Sequence, residues 1–331
     1  MRMPLGAVPA FATLASAAAV VGGWHLASSS GSAYAREPLP HLTAPEIETI
    51  RVGGVPTDVE ATTDAIWVST SLGAIVRVNP STSERVAQID AGGSIVALER
   101  GLGALWAIDV FGARLLRIDP ATNRVERDTP IGRLPSAVAT GHGLVWVASQ
   151  VDSTVAGIDP RTGAVVKLAR FARGELWPGG LAVGPAGVWV ITGAGNEVSL
   201  FDPVTMRFRY RLRIVGARTL VTAGRSVWVG IAAEGSIVRV RNGRRWRAEV
   251  GSRASGYGPL LVHGERLWVA TGHTLTGLDP LSDAVSERLD IGGGVDISAL
   301  AVAGDLWLAD ASGRALLRIN AAASASAKPG R

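Results

Sequence analysis

The chain has 331 residues, no cysteine, and 33 basic against 28 acidic side chains, for a net charge of +5. Disulfide scaffolds, thiol chemistry and cysteine-linked lipid anchors are thereby excluded, and a hydrophobic content of 47% is too high for a disordered chain. The positive charge is nearly all arginine, since Lys167 and Lys328 are the only lysines.

In chain order, the first 35 residues stand apart. Met1-Arg2-Met3 is a short basic start, Leu5 to Val21 is apolar and uncharged, and Ala33-Tyr34-Ala35 precedes Arg36 with the small-x-small pattern of a cleavage site. The segment reads as a secretory signal peptide over 1–35, followed by a linker over 36–45. The alternative is an uncleaved anchor, because Leu5 to Leu26 is long enough to span a bilayer although rich in Ala, Gly and Ser. Either way the expected location is secreted or extracytoplasmic, in the bacterial cell envelope, and any membrane contact is through this segment alone. Export also argues against a nucleic-acid partner.

From residue 46 to 320 a repeat takes over. Trp67, Trp106, Trp146, Trp189, Trp228, Trp268 and Trp307 follow one another at intervals of 39, 40, 43, 39, 40 and 39 residues. Each lies in a short aliphatic run bounded by Gly, Pro, Asp or Asn, and about four such runs fill each period. That is the signature of an all-β, seven-bladed β-propeller with four-stranded antiparallel blades. The periodic tryptophans are expected to pack between blades. Asp119-Pro120, Asp159-Pro160, Asp202-Pro203 and Asp279-Pro280, with Asn79-Pro80 as a variant, read as hairpin turns in which Pro presets φ and the Asp or Asn side chain accepts a backbone N–H. The last period lacks a fourth strand, and Ile47 to Gly53 reads as the missing one, so the N-terminal strand should complete the last blade and close the ring. The tail, 321–331, has the composition of a disordered end.

Candidate site residues follow from propeller geometry. A ligand face is built from the blade-to-blade loops and the loops after the second strand of each blade. The position closing that second strand reads Ser69, Asp109, Ser149, Thr192, Ile231, Thr271 and Asp310. Asp109 and Asp310, with Asp58, Arg218 and Asp296 at the starts of inner strands, would make a mixed-charge mouth able to hold a polar ligand, or Mg2+ or Ca2+ at Asp109, Asp296 and Asp310. The long interval before Trp189 carries an inserted loop with Trp177, which could stack on a ligand or fold back as a plug, and Tyr257 is a similar case. Of the histidines, only His273 falls on this face, which makes it the one candidate base. Zinc-type spacing, phosphate loops and nucleophile elbows are lacking, so no cofactor is evident. The basic runs Arg207 to Arg213 and Arg241 to Arg247 fall on outer strands, as a solvated rim or a patch for an anionic partner.

The unit Leu144-Val145-Trp146-Val147-Ala148, followed by Val155 to Asp159-Pro160-Arg161-Thr162, resembles YVTN-type repeats of bacterial propellers and the blades of the virginiamycin B lyase (streptogramin lyase) family. The resemblance covers the whole ring. It implies a seven-bladed fold and a Mg2+-dependent carbon–oxygen lyase that opens a cyclic depsipeptide by elimination, with a histidine at an inner-strand start beside carboxylates. The matching starts here are Asp58, Ser94, Ser136, Gly180, Arg218, Pro259 and Asp296, with no histidine, and the Trp-Phe-Thr-Glu of that family reads Trp67-Val68-Ser69-Thr70 or Trp189-Val190-Ile191-Thr192. The residues therefore favour an exported monomer that binds a protein, a peptide or an anionic envelope polymer on its loop face without catalysis. The lyase is the alternative.

Overall fold

The computed structural model describes residues 45–176, 180–231, 236–250, 258–263, 266–280 and 282–320. Those residues form 28 strands and no helix. All the strands fall in seven four-stranded antiparallel sheets. The first blade is Pro56–Ala61, Ile66–Thr70, Ala74–Val78 and Arg85–Asp90, paired in that order. Five more blades repeat this up-and-down order. The seventh is built from Ile297–Ala303, Asp305–Asp310 and Ala315–Ile319, with Ile47–Arg51 as its outermost strand. Ile47 pairs with Ile319 and Arg51 with Ala315, so the N-terminal strand does close the ring. The first strand of every blade touches the first strand of the next, including blade 7 against blade 1. The signal-peptide, linker and tail segments, together with Trp177 and Tyr257, lie outside the described residues.

Why this sequence makes this ring is visible at the tryptophans. Every blade sheet must be covered on both faces by its neighbours, and a large ring in the second strand fills that gap. All seven periodic tryptophans are buried. In blades 1, 2, 5 and 7 the residue opposite the Trp on the third strand is an arginine (Arg77, Arg117, Arg239, Arg318), whose guanidinium lies 5.1 to 6.0 Å from the indole centroid. Three of these arginines also reach the next blade, Arg318 by donating from Nη1 to Ser83 Oγ at 2.9 Å. Arg77 donates to the Pro120 carbonyl and Arg239 to that of Pro280, both at 3.1 Å. Where the opposite residue is Gly157 or Gly277, the ring fills the space itself. A Cβ there would sit 3.1 or 3.2 Å from an indole carbon.

The Asx-Pro turns supply the carbonyls that Arg77 and Arg239 reach. In all five, the Asn or Asp carbonyl accepts the amide four residues on, at 2.9 Å in each case. In four of them the side chain also takes the amide two residues on. The closing residue (Ser83, Asn123, Gly163, Met206 or Asp283) has positive φ. The turn is thus one residue wider than a simple type I turn, with the Asx side chain in the expected role. It presents the Pro carbonyl outward, where the preceding blade's arginine finds it.

Candidate functional site

The column after the tryptophans is not a channel lining. Ser69, Asp109, Ser149, Thr192, Ile231, Thr271 and Asp310 are all buried, because each lies at the end of a second strand covered by the loop that follows, Ser69 one place before the last residue, Thr70. Asp109 Oδ1 accepts the Ser94 and Gly112 amides at 3.1 and 3.0 Å, and Oδ2 accepts Arg114 Nη2 and Nε at 2.6 and 3.0 Å. Burial opposes its charge, but the Arg114 guanidinium and the two amides outweigh that and hold the carboxyl below the usual range. Asp310 does the same job in blade 7, taking the Asp296 amide at 3.0 Å and the Ser312 amide and hydroxyl at 3.2 and 2.9 Å. Gly93 and Gly112 are required beside Asp109, since a Cβ at either would fall within 2.3 Å of its carboxylate. Asp109→Ala is expected to cost about 3 kcal/mol, because it strands two amides and a guanidinium. Asp109→Asn should recover part of that in a urea melt, and a cost under 1 kcal/mol for the alanine would contradict the bracing role.

The inner strands also run in a different register from the one their loops suggest. A bulge at their start, between Pro56 and Asp58 and between Ile95 and Ala97, recurs in blades 3, 5 and 7. Pairing therefore sets Asp58 level with Ala97, Ala137, Thr219 and Ala299. Arg218 is the bulged residue of blade 5, bonded to the Ala217 carbonyl. Asp296 lies before its strand, exposed. Asp58, Arg218 and Asp296 thus stand at different heights, and they do not form one mouth with Asp109 and Asp310. His273 is exposed on the blade 6 loop, with Nε2 3.9 Å from Asp290 Oδ1. Among the described residues no three His, Asp or Glu side chains converge as a group able to hold a metal ion. Asp109 and Asp310, already bonded to protein donors, do not fit a resident divalent cation.

Two features escaped the sequence reading. One is a carboxylate trio in the inner wall of blades 1 and 2. Asp58 takes the Leu98 amide of the next blade at 2.7 Å and the Val59 amide at 2.9 Å, and Glu99 takes the Thr140 amide and hydroxyl of blade 3, both at 2.8 Å. Glu60 stands beside them. Each keeps some accessible surface but is walled in by the innermost strands, and that enclosure raises all three. Asp58 is pushed up to about 7 by burial, against its two amides and with the Glu99 charge adding. Glu60 is raised by burial and then by Glu99 and Asp58. Glu99 is raised by burial against the Thr140 bonds. The signal was present at the position opposite each Trp, which is Glu60 and Glu99 in two adjacent blades and Ala139, Ala182, Val221, Leu261 and Ala301 in the rest.

The second feature is on the loop tips. Five residues after the Trp, blades 1, 2 and 3 carry Leu72, Phe111 and Val151, which are 74%, 68% and 40% exposed. The same position reads Ala194, Ala233, His273 and Ser312 in the other four. One arc of the loop face is therefore apolar and outward-facing among the described residues.

No protein-family model matches the chain, and no curated protein matches it in sequence. Solved structures do match. A structure described as streptogramin B lyase aligns with a TM-score of 0.72 at 10% identity, covering 83% of this chain and 97% of that one. The chain is a streptogramin lyase-like seven-bladed propeller in its fold. Kuenenia stuttgartiensis hydrazine synthase aligns with a TM-score of 0.67 at 12% identity over 81% of this chain and 96% of that one. BamB from Moraxella catarrhalis gives 0.57 at 16% identity over 80% and 86%. At such identities the likeness is one of architecture, and activity has to be argued from the site.

Proposed function

We propose that this ring is an exported binding module without catalysis of its own, holding a protein or peptide partner of the cell envelope on its loop face. The observation that carries the reading is the apolar arc of Leu72, Phe111 and Val151 at one repeat position in consecutive blades. Exposed aromatic and aliphatic side chains on a rigid loop scaffold are what a partner's pocket takes up. The bonding of Asp109 and Asp310 to protein donors supports it further, because it leaves those carboxylates poorly placed to hold a metal ion or act as a base. The N-terminal 35 residues supply the argument for export.

The test uses the full-length chain immobilised and presented with solubilised bacterial envelope. Leu72→Asp with Phe111→Asp should reduce capture of a specific partner more than tenfold and leave the melting temperature nearly unchanged, as both side chains are in solvent. Undiminished capture would defeat the reading. So would Mg2+-dependent opening of a cyclic depsipeptide, which would make the ring a lyase.

A further inference from the structure

On the opposite face, a cleft of about 690 Å3 lies between blades 5 and 6 at the turns joining first to second and third to fourth strands. The corresponding cleft between blades 1 and 2 measures about 230 Å3. Four arginines line the larger one: Arg225, Arg239, Arg241 and Arg266. Two of them are held in the wall. Arg239 lies over Trp228 and Trp246, at 5.5 and 4.9 Å, and faces Asp283 at 3.1 Å, and Arg266 pairs with Glu287 at 2.9 Å. Arg225 and Arg241 have no carboxylate partner among the described residues.

The repeat shows that these two charges are not demanded by the fold. Two residues past the partner of the Trp, the other blades have Asn79, Asp119, Asp159, Asp202, Asp279 and Asn320, and blade 5 alone has a cation, Arg241. Three residues before the Trp, blade 1 has Asp64, which pairs with Arg77 at 3.4 Å, and blade 5 has Arg225. Charge is inverted at both places in one blade. In blade 5 the Asx-Pro turn is replaced by the short Asn242-Gly243 hairpin, with Arg241 paired to Arg244.

We propose that this cleft is an anion site for a phosphate-bearing ligand, gripped by the Arg225 and Arg241 guanidiniums with Arg239 and Arg266 behind them. Guanidinium forks match phosphate oxygens in geometry and charge, and a volume in the hundreds of cubic ångströms accommodates a phosphate ester as well as a bare ion. Ser226 and Ser286 line the same cleft, Ser286 with its hydroxyl donated to the Gly277 carbonyl at 3.1 Å, and the Asp279 carboxylate lines it too, beside the four arginines. The phosphate could be that of a free ester or of a lipid headgroup. The site is independent of the loop face, so either proposal can stand without the other.

The test is a titration of the full-length chain at low ionic strength with pyrophosphate, with glycerol 3-phosphate, and with phosphatidylglycerol vesicles in phosphatidylcholine. Arg225→Gln and Arg241→Gln should each weaken binding about tenfold and the pair about a hundredfold, with an unchanged melting temperature. Arg124→Gln with Arg161→Gln removes the same charge from exposed positions at the third turns of blades 2 and 3, Arg124 opening the fourth strand, and should change binding less than twofold. Binding of the free esters would identify a soluble ligand, and binding of vesicles alone a headgroup. Absence of binding to all three probes overturns the proposal, as does equal loss in the control pair, which would mean a diffuse field. If the glutamine pair does not fold, Arg225→Lys with Arg241→Lys keeps the charge without the fork, and full affinity there overturns the bidentate grip.

Discussion

Trp146→Ala is expected to cost about 4 kcal/mol and to lower the melting temperature by roughly 10 °C. The indole is fully buried, meets Phe201 edge-on at 5.8 Å, and donates from Nε1 to the Gly141 carbonyl at 3.1 Å. Opposite it stands Gly157, so no side chain can move in to fill the hole. The cost therefore includes the lost transfer energy, a cavity between blades 3 and 4, and a carbonyl left without its donor. Trp246, 39% exposed on an outer strand, is the internal control and should cost about 1 kcal/mol when replaced by alanine. Equal costs in a denaturant melt would mean that the periodic tryptophans do not hold the blades together.

Stability should also fall as the pH rises from 5 to 8, and the carboxylate trio sets the sign. A carboxyl whose folded-state pKa lies above its unfolded value holds its proton more tightly in the fold, so its contribution is present in acid and lost as the pH passes through the raised pKa. Asp58 moves from 3.8 to about 7, which costs the folded ring about 4 kcal/mol once the group is ionised. Glu60 and Glu99 act in the same direction. Carboxylates lowered in the fold, such as Asp109 and Asp202, act the other way, but their contribution is complete by about pH 5. The window between pH 5 and 8 therefore belongs to the trio. Asp58→Asn keeps an acceptor for the Leu98 amide and should flatten the melting temperature against pH across that window. A profile that stays steep in Asp58→Asn and in Glu60→Gln would place its source elsewhere.

The ring, its blade count and its closure were legible because they depend on residues that recur. Trp146 and its six counterparts mark second strands, Asp159-Pro160 and its counterparts mark the third turns, and Ile47 to Gly53 fits the one vacant place. The site was less legible because it depends on departures from the repeat and on register. Asp109 and Asp310 look like ligands in a one-dimensional column. Whether such a carboxylate faces a channel or a buried loop turns on the arginine or serine a few residues on. Asp58, Ser136, Arg218 and Asp296 align by their distance from turns, yet a bulged residue moves the side chains of an inner strand by one place. The arginines of 207–213 behave as a rim should. Arg209, Arg211 and Arg213 are exposed on alternate positions, with Arg209 on Asp202 and Arg211 on Glu175.

The pairing of Ile47–Arg51 with Ala315–Ile319 has a consequence in time. A ribosome makes Ile47–Arg51 before the other strands of the ring and Ala315–Ile319 after them. Throughout elongation the early strand has no partner, and the innermost strand of blade 1 has no blade 7 to rest on. Six blades can stack as they emerge, each on its predecessor, but the circle cannot be joined until Ala315–Ile319 has emerged. A message truncated just before Ala315 would therefore yield a protein with nearly every contact of the finished one and two unprotected sheet edges, a species prone to join end to end with its own kind.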